Sequence, residues 1–126
     1  MTAELKVGPN IADQLTRHAI HRPTKIAIIQ GKEEVNYLDL YERVMVKAKG
    51  LIEMGIKEGD IVGVALADHI DHLVMLFAIA RAGAIVLPMD CRWSATEKEA
   101  LCQHFKPALV LVEEDSNWKS EYCIWV

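Results

Sequence analysis

"IVGVALADHIDHLVMLFAIARAGAIVLPMD", residues 61–90, decides the fold. Ile61 to Leu66 is apolar without alternation, the pattern of a strand covered on both faces inside a parallel sheet. The spacing then predicts a helix from about Asp71 to Ala82, stopped by Gly83, and a second strand over "AIVLPM", residues 84–89. Moving outward to the C-terminal side, Ser94 and Glu97 form the S-x-x-E pattern of a capping box, so a second helix starts there and must stop before Pro107. "ALVLVE", residues 108–113, supplies another apolar strand. Strand, helix, strand, helix, strand with short connections predicts an α/β fold: an open, mainly parallel sheet with helices on its faces.

On the N-terminal side, "NIADQLTRHAIHRP", residues 10–23, reads as a helix with Asn10 as N-cap and a buried stripe of Ile11, Leu15 and Ala19. "KIAIIQ" and "EEVNYL" around Gly31 and Lys32 predict a β-hairpin. From about Leu38 to Met54, the apolar positions Tyr41, Val44, Met45, Ala48, Leu51 and Ile52 recur at helical spacing, and Gly55 ends the run. One domain over residues 1–126 is expected, with 1–9 and 116–126 fitting the pattern less well. Tyr122 to Val126 reads as the start of a further strand.

Fourteen basic and eighteen acidic residues give a net charge of -4 with no long block of either sign, which argues against a nucleic-acid partner. The longest apolar stretch, Leu73 to Ala80, is far shorter than the roughly 18 residues of a membrane span. The N-terminal residues lack the basic end and apolar centre of a secretion signal, so a cytoplasmic protein is expected. Cys91, Cys102 and Cys123 are odd in number, widely spaced and without a CxxC pair, which predicts reduced thiols.

Asp68, His69, Asp71 and His72 offer metal-ligating groups, with His69 and His72 at i, i+3. A metal site needs about three ligands in fixed geometry, and no other histidine shows partner spacing. A helix start explains more: Asp68 as N-cap and Asp71 at the third helical position would satisfy the free N–H groups of the first turn. The glycines are scattered, with neither GxGxxG nor GxxxxGK[ST], so no phosphate cradle is encoded. Cys102 and His104, two apart on a helix, point in different directions and do not make a dyad. No catalytic, cofactor-binding or metal-ligating residue is expected among these side chains. Asp90, Arg92 and Trp93 form a possible strand-end surface, because ligands of open parallel sheets gather at the C-terminal strand ends.

Taken together, "VNYLDLYERVMVKAKGLIEMGIKEGDIVGVALADHIDHLVMLFAIARAGAIVLPMDCRW" resembles the N-terminal portion of the adenylate-forming superfamily of acyl-CoA synthetases, peptide-synthetase adenylation domains and luciferases. Leu40 and Arg43 match the usual leucine and arginine after the strand ending in Tyr37. "MGIKEGDIVGVAL" matches the Gly-x-x-x-Gly-Asp turn into a strand, and "LFAIARAGAIVLPMD" the helix, Ala-Gly turn and Pro-containing strand. The likeness covers about residues 10–115. Asn36 stands where threonine is common, "ADHID" replaces an asparagine-containing turn, and Cys91 and Arg92 replace a proline-centred stretch.

The resemblance implies a partial N-terminal subdomain of an ATP-dependent carboxylate–CoA ligase, which forms an acyl-adenylate and then an acyl-CoA. It implies ATP, Mg and CoA for a full-length enzyme, and no cofactor held by this chain alone. The family's phosphate loop, glutamate, aspartate and lysine have no counterpart here, so the chain is expected to be catalytically incomplete. The expected partner is the remainder of the ligase or another protein chain, with self-association through exposed apolar surface. A stand-alone, non-catalytic interaction or regulatory module on the ligase scaffold is the alternative.

Overall fold

The computed structural model describes residues 10–113, 116 and 118–125, with no account of the Trp125 side chain. Residues 1–9, read above for a signal, and Val126 lie outside it. The elements are α1 (Ile11–His21), β1 (Ile26–Gln30), β2 (Glu33–Asn36), α2 (Tyr37–Glu53), β3 (Ile61–Ala65), α3 (Ile70–Arg81), β4 (Ile85–Pro88), α4 (Ala95–Phe105), β5 (Leu109–Val112) and β6 (Cys123–Trp125). Strands β1 and β2 pair antiparallel as the expected hairpin, while the other four form a parallel sheet in the order β4-β3-β5-β6. The α/β class and the N-terminal helix and hairpin are as the sequence predicts.

The chain steps from β3 to β4 in one direction and then returns across β3 to β5. With right-handed crossovers, that reversal puts α3 and α4 on opposite faces of the sheet. Alternation within the strands agrees. Val62, Val64, Leu109 and Leu111 join α1, α2 and α3 in the larger core, whereas Ala65, Val110 and Val112 join Cys102 of α4, Met89, Trp118 and Cys123 in the smaller one. Among the described residues, no helix is long and apolar enough to cross a membrane.

Several boundaries differ from expectation, each for a local reason. Helix α2 begins at Tyr37 because the Asn36 side chain accepts the Asp39 N–H at 2.8 Å, so Tyr37 and Leu38 leave the hairpin for the helix. Its buried residues are Leu40, Val44, Ala48 and Leu51, while Met45 and Ile52 are exposed. Helix α1 buries Ala12, Leu15 and Ala19 rather than Ile11, and Asn10 caps it as predicted. The small residues at 12 and 19 let α1 lie close to its neighbours. Asn10 Nδ2 also donates to the Ala80 carbonyl at 2.6 Å, and Arg81 pairs with Asp13, which ties α1 to the end of α3.

Candidate functional site

The reversal in strand order leaves a crevice at the C-terminal ends of β3 and β5, the position where open α/β sheets receive ligands. The loops leaving the two strands are joined there, for Ala67 N–H donates to Glu113 Oε1 at 2.7 Å. A cavity of about 380 Å³ opens beside it, with Cys91, Arg92, Trp93, Lys98, Glu113 and Trp118 among its lining residues. A neighbouring cavity of about 680 Å³ runs over Asp68, His72, Met89 and Asp90 and shares Arg92 and Trp93. Asp90, Arg92 and Trp93 lie together beyond the end of β4, along the second cavity.

Asp90 and Arg92 are locked to each other. Asp90 Oδ1 accepts the Arg92 backbone N–H at 2.8 Å and Nε at 3.0 Å, and Oδ2 accepts Nη2 at 2.7 Å. The Arg92 guanidinium, followed by its backbone N–H, pulls the Asp90 carboxyl down from 3.8 to about 2. A carboxyl lowered in the folded state stabilises the fold above its unfolded value, and that contribution is lost as pH falls from about 4 towards 2. Titrating side-chain carboxyls by NMR should find Asp90 near 2, and Arg92→Ala should return it towards 3.8. An Asp90 that titrates alike in both proteins would show that the pair does not form.

Lys98 is a feature that sequence reasoning missed. It is only 5% exposed, and its Nζ donates to the Cys91 carbonyl at 2.8 Å and sits 5.8 Å from the centre of the Trp118 ring. A buried ammonium is costly unless its N–H groups and charge are met, and here a carbonyl and an aromatic face meet them. The visible signal was its spacing: Lys98 lies four residues before Cys102, hence on the face of α4 that packs on the sheet. Trp118 is the packed tryptophan of this region, while Trp93 stays partly exposed at the cavity rim.

The Asp68–His72 cluster is a helix start, with one correction. The N-cap of α3 is His69, whose Nδ1 accepts the Asp71 N–H at 3.2 Å, so Asp71 is the second helical residue, not the third. Asp68 fails to cap because its carboxylate projects into solvent, and Gln30 of the hairpin takes the Ile70 N–H at 3.1 Å instead. Among the described residues, no group of three or more His, Cys, Asp or Glu is placed to hold a metal ion. Cys102 is buried and His104 exposed, and burial, aided by Glu99 and Cys123, pushes the Cys102 thiol up to about 11.

The glycines do not supply a nucleotide site either. Gly55, Gly59 and Gly83 take positive φ, but they build the turns that lead into β3 and β4, at the opposite end of the sheet from the cavities. The residues described here do not fit the phosphates of ATP.

A parallel sheet covered on both faces, with paired loops and cavities at its strand ends, defines an α/β ligand-binding scaffold. The particular scaffold is shown by the match of residues 15–123 to the model of the AMP-binding enzyme family, and the chain belongs to that family. It is 35% identical over 98 residues to a medium/long-chain-fatty-acid–CoA/3-oxocholest-4-en-26-oate–CoA ligase of Mycobacterium marinum, covering 77% of this chain and 18% of that protein. It is 32% identical over 96 residues to vanchrobactin synthetase VabF of Vibrio anguillarum, covering 76% of this chain and 3% of that one. The N-terminal subdomain of Klebsiella oxytoca NpsA, solved with anthranilyl-AMSN, superposes with a TM-score of 0.86 at 15% identity over all of this chain and 33% of that chain. The chain spans a fifth or less of the curated relatives it matches.

Proposed function

We propose that this chain is the N-terminal scaffold of an ATP-dependent carboxylate–CoA ligase, a structural unit within the larger N-terminal domain, and catalytically incomplete by itself. The observation that carries the reading is family membership over residues 15–123 in a chain whose sequence contains neither GxGxxG nor GxxxxGK[ST]. A CoA ligase and peptide synthetases match this chain at similar identity, so the thiol acceptor in the assay below separates the two branches. In this reading the remainder of the ligase supplies the sites for ATP and Mg, and the surface around Asp90, Arg92 and Trp93 faces the ligand side. Three widely spaced cysteines without a CxxC pair support a cytoplasmic setting.

The test begins with the mass of the native species in its source cells, detected with an antibody to this chain. A species several times longer is expected, one that exchanges ATP and pyrophosphate in the presence of a fatty or aryl acid and forms a thioester only when CoA is added. The isolated 126-residue chain should show no exchange. Exchange by the isolated chain would overturn the incompleteness, and transfer to a carrier-protein thiol without CoA would move the assignment to the peptide-synthetase branch. A native species of this length in a stable complex would favour the non-catalytic module.

A further inference from the structure

Helix α2 carries apolar side chains that its own fold does not use. Beside the buried face of Leu40, Val44, Ala48 and Leu51 runs a second stripe: Leu38 is 43%, Met45 38% and Ile52 55% exposed. The three lie seven residues apart, so they align along one side of the helix, with half-buried Tyr41 between the first two. Fourteen residues at 1.5 Å each make the stripe about 21 Å long.

We propose that this stripe is a self-association surface that takes the same stripe of a second copy, antiparallel, across a two-fold axis at Met45. A two-fold contact must be self-complementary: if one residue meets another, the reverse contact must also hold. The spacing satisfies this. With Met45 on its own counterpart, Leu38 of each copy meets Ile52 of the other.

The flanking charges satisfy it as well. Glu42 and Lys49 are exposed on the outer edge of the stripe, almost equidistant from Met45, so each Glu42 faces the second copy's Lys49. A parallel two-fold pair would instead put Glu42 of one copy and Lys49 of the other on opposite edges of the seam, where these ion pairs cannot form. The stripe is one helix wide, so its buried area falls below the roughly 1,200 Å² of a stable specific interface. The dimer is accordingly weak, and its population rises with concentration.

Sedimentation velocity over a concentration series tests the arrangement on the chain itself. The wild-type sedimentation coefficient should rise with concentration, and Met45→Glu, which places two carboxylates on the axis, should stay monomeric throughout. Glu42→Lys and Lys49→Glu should each weaken association roughly tenfold, since two attractive pairs become repulsive, and the double variant should restore it. All these positions are exposed, and unchanged circular dichroism would confirm folding. A wild type that stays monomeric overturns the proposal, as does association that ignores the single charge reversals. Neither outcome touches the ligase reading, which rests on the exchange assay.

Discussion

Gly63→Ala is expected to destabilise the protein by about 2 kcal/mol, and Gly63→Val by more, because the centre of the parallel sheet has no room for a side chain at this position. A Cβ on Gly63 would lie 2.7 Å from Met89 Cε and 2.9 and 3.1 Å from the two methyl carbons of Val110. Met89 can swing its terminal methyl aside. Val110 is fully buried and β-branched on the adjacent strand, with little rotamer freedom, so the strain falls on the β3–β5 pairing. Gly63 does not have a positive φ, so its role is closeness of approach and not backbone freedom.

Urea denaturation measures the cost, and a double-mutant cycle identifies its source. Val110→Ala alone removes buried methyl groups and should cost about 2 kcal/mol. Combined with Gly63→Ala it vacates the space that the new methyl needs, so the double variant should be less destabilised than the sum by about 1–2 kcal/mol. Strictly additive losses would show that the clash with Val110 is not the cause. Against a total stability of about 5–15 kcal/mol, the valine substitution should bring the folded state close to its limit.

The path of the backbone was legible because its signals are local: apolar runs of strand length, Gly55 and Gly83 at helix ends, and Ser94 with Glu97 at the start of α4, where both capping-box bonds form. What escaped depends on which neighbour covers a residue. Met45 and Ile52 have the periodicity of core positions, yet α1 and α3 pack on a face centred nearer Leu40 and Leu51, and no periodicity contains that offset. Ile11 and Ala12 exchange roles for a similar reason. At the strand ends, Asp90, Arg92 and Trp93 followed from topology alone, whereas Lys98 did not, because a lysine is ordinarily solvated. Its burial depends on Trp118, twenty residues later in the chain.

Trp118→Ala should therefore have an effect as large as any core truncation, about 3–5 kcal/mol, and should also change thiol chemistry. Trp118 covers the smaller core with Cys102, Cys123, Val110 and Val112. Its Nε1 donates to Glu99 Oε1 at 3.2 Å, its ring meets the Lys98 ammonium, and its carbonyl lies 4.0 Å from Cys123 Sγ. Removing the indole opens a cavity beside a buried ammonium and uncovers two thiols that burial holds in their protonated, unreactive form. In the wild type, a thiol reagent at neutral pH should modify Cys91 first and leave Cys102 and Cys123 protected until unfolding. In Trp118→Ala, intact mass should show the two buried cysteines reacting under native conditions. Trp118→Phe separates the parts: it keeps a smaller aromatic cover, loses the Glu99 hydrogen bond and part of the buried volume, and should cost about 1–3 kcal/mol with the cysteines still protected. If Trp118→Phe exposed them as fully as alanine does, an aromatic cover would not be what protects the two thiols.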